Sequence, residues 1–553
     1  MINVLATNIT SPLGFTTEQN YQAVLSGSSA LKRYEGLWGP AEPFAASLFS
    51  EEQRTALTIE GYTFFEALAI RSIREALTHT HLDLASERIV LILSTTKGNI
   101  EALGEERYYP SKAAQRIAEA IGLTTKPIVV CNACVSGLSA QLLANHLLSA
   151  NVYDYAIAVG AEVQSKFIVS GFQSLKAVSE EPCRPFDIER NGLNPGEAAA
   201  TIVFARNADG ERWCLMDGAT CNDAYHNVSP SPQGEGLTNA INAVLAGQDK
   251  SRLATVCVHG TATLYNDQME SKAIERANLS DVPLSALKGY YGHTMGAAGV
   301  LETILTMRAT DDGIILPSKG FTEPGVSGKV SISSEPKKTD KRAFLKLMSG
   351  FGGCNVAAMY EKTKDYRQAL ARRSQRTTGK AKLVKAHTIK LSSEDGQTLT
   401  DIYKQQIGDY PKFYKMDLLT RLAFVATEKT LSNSPLKGED KKPALIFFNH
   451  SSSVASDRQF FETIRDAENY FPSPSVFVYT LPNITTGEVA IRHHLCGETS
   501  FYILPDKDEA LMQQILEASL AGTDTSTAIS GWVDAESETC YECELTLYNI
   551  INI

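Results

Sequence analysis

No apolar run in this 553-residue chain approaches the roughly 18 residues that a helix needs to cross a bilayer. Cysteine is sparse and scattered, ten in all, without the density of a disulfide scaffold. Positive charge is also short. Lys+Arg number 52 against 63 Asp+Glu, a net charge of −11, whereas a general nucleic-acid binder needs clustered cations. The opening MINVLATNITSPLGF has neither the basic start nor the long apolar core of a secretory signal. These absences predict a soluble, cytoplasmic protein that binds no nucleic acid and has no membrane span. What is present is an ordinary globular composition, 43% hydrophobic and 21% charged, able to bury large cores. The length allows three or four units at about 150 residues per domain.

Through the first 360 residues, short apolar runs alternate with amphipathic stretches. Arg88–Thr95, Ile128–Cys131, Tyr155–Val159, Thr201–Phe204, Thr255–Val258 and Phe344–Met348 read as buried strands. Tyr62–Thr78 and Leu138–Ser149 have apolar residues at helical spacing. The alternation predicts an α/β protein. Residues 362–385 break it, with nine Lys/Arg against one acid, Asp365. They read as a solvated basic linker, with a contact for an acidic partner as the alternative. Strand and helix signals resume at His387.

Four segments carry candidate chemistry. In Ile128–Gln141 a strand runs into a small-residue turn with Cys134, ahead of a helix. The positive end of a helix dipole favours a thiolate, so Cys134 is a candidate nucleophile. A buried inert Cys, which a lone Cys usually is, and a redox Cys131-Asn-Ala-Cys134 pair are the alternatives, and the segment alone does not decide between them. In Val256–Asp267 a strand delivers His259 into a turn with Thr261 and Thr263, hydroxyls suited to a polar ligand arm. A structural His at a strand end fits as well. In Leu287–Glu302, His293 follows Lys288 by five residues and precedes Gly296-Ala297-Ala298-Gly299. Ser349–Asn355 (SGFGGCN) places three glycines around Phe351, which requires an unusual backbone unless it is a plain turn.

The ordered set is specific where each member is not. Strand-Cys-helix, HGTxTxxND, K-x4-GHTxGAAG and GFGGxN together resemble the β-ketoacyl-(acyl carrier protein) synthases of the thiolase superfamily. The resemblance spans Met1 to about Lys362, and includes Ser11-Pro12-Leu13-Gly14 and the Arg184–Glu197 stretch. It implies a thiolase-like layered αβαβα fold of two related halves, about 1–205 and 206–362. It also implies that Cys134 takes an acyl chain from a carrier-protein thioester. His259 and His293 would then assist decarboxylation of a malonyl thioester and stabilise the enolate. Lys288, placed with the catalytic set, and Glu302 would orient the histidines. The amides of Cys134 and Phe351 would form an oxyanion hole, and Phe351 would gate the acyl tunnel. Thr261 and Thr263 would bind phosphopantetheine, the arm on which acyl carrier protein presents its substrates; no metal or redox cofactor is required. Three positions depart from the family pattern: Ala262 in HGTAT, GEAA at Gly196–Ala199, and Asn132 before Ala133-Cys134. They put substrate preference in question. Thiolase chemistry, with Cys354 as a second cysteine, is the runner-up, and a non-catalytic synthase-derived scaffold is a further alternative.

The region 386–553, beyond a linker over 363–385, reads as the first half of the same fold repeated. Met416–Leu431 parallels Tyr62–Leu77, and Leu520–Asp534 parallels Leu148–Glu162 at an offset of 372. That offset puts Asp506 opposite Cys134, and an aspartate cannot hold a thioester. Tyr470–Ile491 also resembles the N-terminal half of a synthase. A nucleophile-free half of this kind is similar to the chain-length factors that accompany aryl-polyene and other type II ketosynthases. The resemblance implies a dimer-like partner, docked within or between chains, that influences product length.

Overall fold

The computed structural model describes residues 2–39, 41–364, 380–434, 436 and 442–552. Sixteen strands form its main sheet. In chain order they are β1 Ile2–Thr10, β2 Ile89–Ser94, β3 Ile128–Val130, β4 Tyr155–Glu162, β5 Ala198–Arg206, β6 Arg212–Asn222, β7 Leu253–Cys257 and β8 Pro283–Ser285. They continue as β9 Ser331–Ile332, β10 Ala343–Gly350, β11 Cys354–Thr363, β12 Ala381–Ser392, β13 Ala444–Asn449, β14 Thr499–Ile503, β15 Thr527–Ser537 and β16 Cys540–Asn552. Spatially they run β9-β8-β7-β10-β11-β6-β1-β5-β4-β2-β3-β14-β13-β15-β16-β12.

One five-strand pattern occurs three times in this order. The groups β1–β5, β6–β8 with β10 and β11, and β12–β16 each arrange their members third-second-fourth-fifth-first. In each, the second strand is parallel to its two neighbours and the fifth is antiparallel to the fourth and the first. The first two groups meet through β1 and β6, with Ile2 opposite Leu215. The first and third meet through β3 and β14. This is the thiolase-like fold with a third half added.

The helices that matter for the site are α1 Phe64–Leu77, α2 Pro110–Ile121, α3 Ser136–Ser149, α4 Lys166–Ser174, α5 Leu264–Arg276, α6 Ala298–Asp311, α7 Leu418–Asn433, α8 Ile484–His493 and α9 Glu509–Leu520. Nearly every residue of α3 (SGLSAQLLANHLLS) is buried, small and uncharged polar members included, as in a helix covered on almost every side. Accordingly α3 packs on β4 and also on β6 and β11, while α6 packs on β4, β5 and β10, so the pair forms the central layer. Their N-termini approach backbone to backbone: a Cβ on Gly299 would lie 2.5 Å from the Leu138 nitrogen, and one on Gly137 2.7 Å from the Gly296 oxygen. The Gly/Ala run of the third segment therefore serves close packing behind the site.

At the seam, Val130 pairs with Tyr502 and Val129 with Ile503, antiparallel, and Cys131 N–H donates to Phe501 O at 3.2 Å. The offset of 372 equates Val130 with Tyr502, so each faces its own counterpart across a local two-fold. The C-terminal unit thus docks on β3, the strand that leads to Cys134, within one chain. Asp506, at the position equivalent to Cys134, is exposed and bridges to Lys126 at 2.9 Å. One boundary moves. Ala381–Lys385, expected in the linker, lie in β12, with Ala381 opposite Asn552 and Lys385 opposite Tyr548. Apolar side chains on strands with a ready antiparallel partner pair despite flanking charge. Most of the remaining linker stretch lies outside the described residues.

Candidate active site

The short β3 ends at Val130, and the chain turns through Ala133–Val135 before α3 begins. Ala133 takes φ +47°, a left-handed conformation that turns Cys134 toward the cavity side of the helix start. The strand β7 ends two residues before His259, and the short turn Lys288–Tyr291 leads to His293. The Cys134 sulfur and one ring nitrogen from each histidine all lie within 4.8 Å of one another. The two imidazoles meet edge to face, 5.1 Å between centroids. All three residues line a cavity of about 300 Å³, with Thr261, Thr263 and Phe351 also on its wall. The Thr261 and Thr263 hydroxyls are 2.9 Å apart.

Each histidine is held by its backbone, leaving ring atoms unpaired. His293 N–H donates to Asn194 O at 2.6 Å, and Gly196 N–H donates to His293 O at 3.0 Å. The Arg184–Glu197 stretch therefore positions His293. The Met295 amide donates to His293 Nδ1 at 3.2 Å, which leaves the proton on Nε2, and Nε2 is buried with no partner. His259 and Gly260 amides donate to the Glu270 carboxylate at 2.6 and 2.8 Å, and His259 Nδ1 is likewise buried and unpartnered. Both histidines line one cavity, and an unsatisfied ring nitrogen on each suits a polar ligand group.

Below the imidazoles, Lys288 Nζ donates to His259 O at 2.6 Å and to Glu302 Oε1 at 2.7 Å. Lys288 is 1% exposed and does not line the cavity, so it acts through His259. Burial and the nearby lysines hold both imidazoles well below the ordinary histidine range, so both are neutral. The thiol goes the other way. The helix dipole predicts a thiolate, but burial pushes the Cys134 thiol up to about 12 against the pull of Lys288. Desolvation is the largest cause of that rise.

Four residues at the site carry no assignment from the sequence. Lys346, in the middle of β10, reaches the other oxygen of Glu302. Its signal was a lysine inside an apolar strand. Phe477 and Leu481, from the C-terminal unit, line a cavity of about 20 Å³ beside Cys134, together with Phe172, Met295 and Phe351. Asn483, just before α8, donates to Phe351 O at 2.8 Å. The competing cysteines lie elsewhere. Cys131 Sγ turns to Thr96 O, and Cys354 Sγ to Thr499 O across the seam; neither lines the main cavity.

Two family models match the chain: Beta-ketoacyl synthase, N-terminal domain, over residues 86–210, and Beta-ketoacyl synthase, C-terminal domain, over 214–322. The chain belongs to the β-ketoacyl synthase family. It is 30% identical over 280 residues to 3-oxoacyl-[acyl-carrier-protein] synthase 2 of Mycobacterium leprae (strain TN), a match covering 47% of this chain and 66% of that one. It is 26% identical over 403 residues to 3-oxoacyl-[acyl-carrier-protein] synthase 2 of Coxiella burnetii (strain RSA 493 / Nine Mile phase I), covering 65% and 97%. The match to the Mycobacterium leprae protein thus spans just under two thirds of that relative's length. Among solved structures, the PfaC keto synthase-chain length factor superposes with a TM-score of 0.75 at 12% identity, covering 99% of this chain and 78% of that one. That likeness extends the shared fold of this ketosynthase-family chain through its C-terminal unit. No described helix is long and apolar enough to cross a membrane.

Proposed function

We propose that this chain is a decarboxylating condensing enzyme, with Cys134 as the acyl-accepting nucleophile. The observation that supports it best is one thiol and two neutral, partly unsatisfied imidazoles within 4.8 Å at the base of a threonine-lined cavity. An acyl thioester of acyl carrier protein reacts with Cys134: the new C–S bond forms, the carrier thiol leaves, and the cysteine proton goes to it. Because the thiol is not a standing thiolate, that proton must move as the bond forms, and the neutral imidazoles are the bases within reach.

A malonyl thioester then enters with its phosphopantetheine arm along Thr261 and Thr263. Loss of carbon dioxide leaves an enolate whose oxygen accepts hydrogen bonds from His259 and His293, with His293 Nε2–H the donor fixed by Met295. The enolate carbon attacks the Cys134 acyl carbonyl, whose oxygen faces the amides of Cys134 and Phe351. The C–S bond breaks, and the leaving sulfur takes up one proton from solvent, replacing the one that left on the carrier thiol. The product is a 3-oxoacyl thioester two carbons longer, of fatty-acid or polyketide type. Lys288 is a positioning residue in this scheme. No step requires a metal or redox cofactor.

The synthase body is residues 1–362, and the half-domain that begins with β12 is its non-catalytic partner. Phe477 and Leu481 at the acyl side of Cys134, and Asn483 on the Phe351 carbonyl, support a role in acyl length and gating. The thiolase alternative is disfavoured by Cys354, whose sulfur faces the seam. Mass spectrometry after incubation with acyl-carrier-protein thioesters tests the reading. The expected adduct is on Cys134 and is absent in Cys134→Ala; acylation at Cys131, or persisting in the variant, would overturn it.

A further inference from the structure

Lys346 is a charged side chain at 0% exposure in the middle of β10, between Leu345 and Leu347. Its Nζ donates to Glu302 Oε2 at 2.5 Å, to Val258 O at 3.2 Å and to Cys257 O at 3.5 Å. Glu302 is already paired through its other oxygen with Lys288, itself 1% exposed. One Lys–Glu pair here would be electrically neutral. Two lysines on one carboxylate are not, and a second buried ammonium is costly to keep in low dielectric. The hydrogen bonds of Lys346 end on the strand that delivers His259, so its surplus charge lies directly behind the reacting groups.

We infer that Lys346 is a positioning residue of the condensation: with Lys288 and Glu302 it leaves one uncompensated positive charge beneath His259 and His293, favouring the enolate. This rests on the condensing function proposed above. The charge has two effects on the same groups. It opposes a second positive charge on either ring, so both imidazoles stay neutral hydrogen-bond donors. It also lowers the energy of negative charge developing on an oxygen held by those rings, without reorganisation during the step. Besides Lys346, the charged or titratable groups around the rings are Lys288 and Cys134, with Glu270 of α5 on the His259 amide, Glu302 of α6 and Cys257 of β7 beside Lys346, Asp267 of α5 beside Glu270, and Glu162 of β4 near Cys134. Glu270 is pushed up to about 7 by burial, and the Asp267 carboxyl is also raised. Neither carboxylate is within ion-pair distance of Lys346, whose one such partner among the described residues is Glu302.

Lys346→Met in the full chain tests this. Acylation of Cys134, read by intact mass, should change much less than condensation, because the thiol exchange does not build an enolate. Condensation should fall about 10- to 100-fold, less than the ~10²–10³ lost with a donor that touches the oxyanion. The acid limb of condensation should move to higher pH, since removing a cation raises both imidazole pKa values. Glu302→Gln, which removes an anion, should move that limb to lower pH, so the two variants shift it in opposite directions. Lys346→Arg should keep the limb in place. Histidine NMR titration of wild type and variants reads the same shifts without turnover. If wild type neither acylates nor condenses, the functional reading fails, while the titration still decides the electrostatic one. Folded Lys346→Met with unmoved imidazoles and condensation within twofold of wild type would overturn the inference; so would parallel shifts in Lys346→Met and Glu302→Gln.

Discussion

Phe477→Ala should open the acyl side of the site. Its ring comes from the C-terminal unit and packs 5.3 Å from Phe172 and 5.2 Å from Phe460, centroid to centroid. It sits so close to α4 that a Cβ on Gly171 would be 2.0 Å from the ring. Beyond Cys134 the remaining space is about 20 Å³, little more than one water occupies. An acyl chain of any length must therefore displace this wall or stop at it. The substitution removes six ring carbons and costs about 3–5 kcal/mol of stability if the gap does not collapse. Each methylene that enters the gap is worth about 0.8 kcal/mol, so four give about 3 kcal/mol, roughly a 200-fold gain for long over short acyl groups. The assay is competition between short and long acyl-carrier-protein thioesters, with Cys134 adducts counted by intact mass. Phe460→Ala is the control, since Phe460 packs on the same ring but does not line the gap. It should cost comparable stability and leave the length profile unchanged. A Phe477→Ala profile identical to wild type, with the protein folded, would refute the view that the C-terminal unit sets acyl length here.

Three further outcomes are expected. Catalysis needs neutral imidazoles, and both are held well below 6.5, so the fall in condensation rate with decreasing pH should begin well below pH 6.5; a midpoint at 6.5 would contradict the neutral pair. Ala262 has φ +62°, the conformation that explains the glycine usual in this motif, so Ala262→Gly should raise stability by up to about 1 kcal/mol in thermal unfolding. Lys97 and Asp457 form a buried ion pair across the seam at 2.9 Å, with Tyr108 on the other carboxylate oxygen. Lys97→Met should cost about 3–5 kcal/mol by stranding Asp457, and Lys97→Met/Asp457→Leu should recover most of it in denaturant titration.

The grouping of Cys134 with His259 and His293 was legible because their side chains are chemically distinctive and their turns carry small residues at fixed spacing. The strands were legible from apolar runs: IVLILS became β2, buried along its whole length. The repeat was legible because the offset of 372 is counted along the chain, and the same offset equates Val130 with Tyr502, which pair at the seam. Other features depend on what the chain brings together in space. Nothing local in YFPSPSVFVYT says that Phe477 meets Gly171, three hundred residues upstream. The burial that raises the Cys134 thiol is of the same kind, since the dipole is local to a helix start whereas desolvation depends on every element around it. Lys346 would read as a solvent-facing position in FLKLM by strand alternation, but β10 lies between β7 and β11 with both faces covered.

The departures from the family pattern take on a different meaning once placed. Asn132, expected to bear on substrate, uses its side-chain oxygen to accept the Phe501 amide at 2.7 Å, so it ties the nucleophile turn to the docked unit. The basic run resolves in a similar way. In the first group β1 pairs on one side with β5 and on the other with β6. Its counterpart β12 pairs with β16, and the described residues supply no strand for its outer edge. An open edge of that length invites pairing with another chain, which Lys residues and bulges oppose. On β12, Lys382, Lys385 and Lys390 are exposed, and the register shifts between Lys385 and His387. Part of the charge that reads as linker in the sequence therefore guards the free edge of a unit built from one half of a two-half fold.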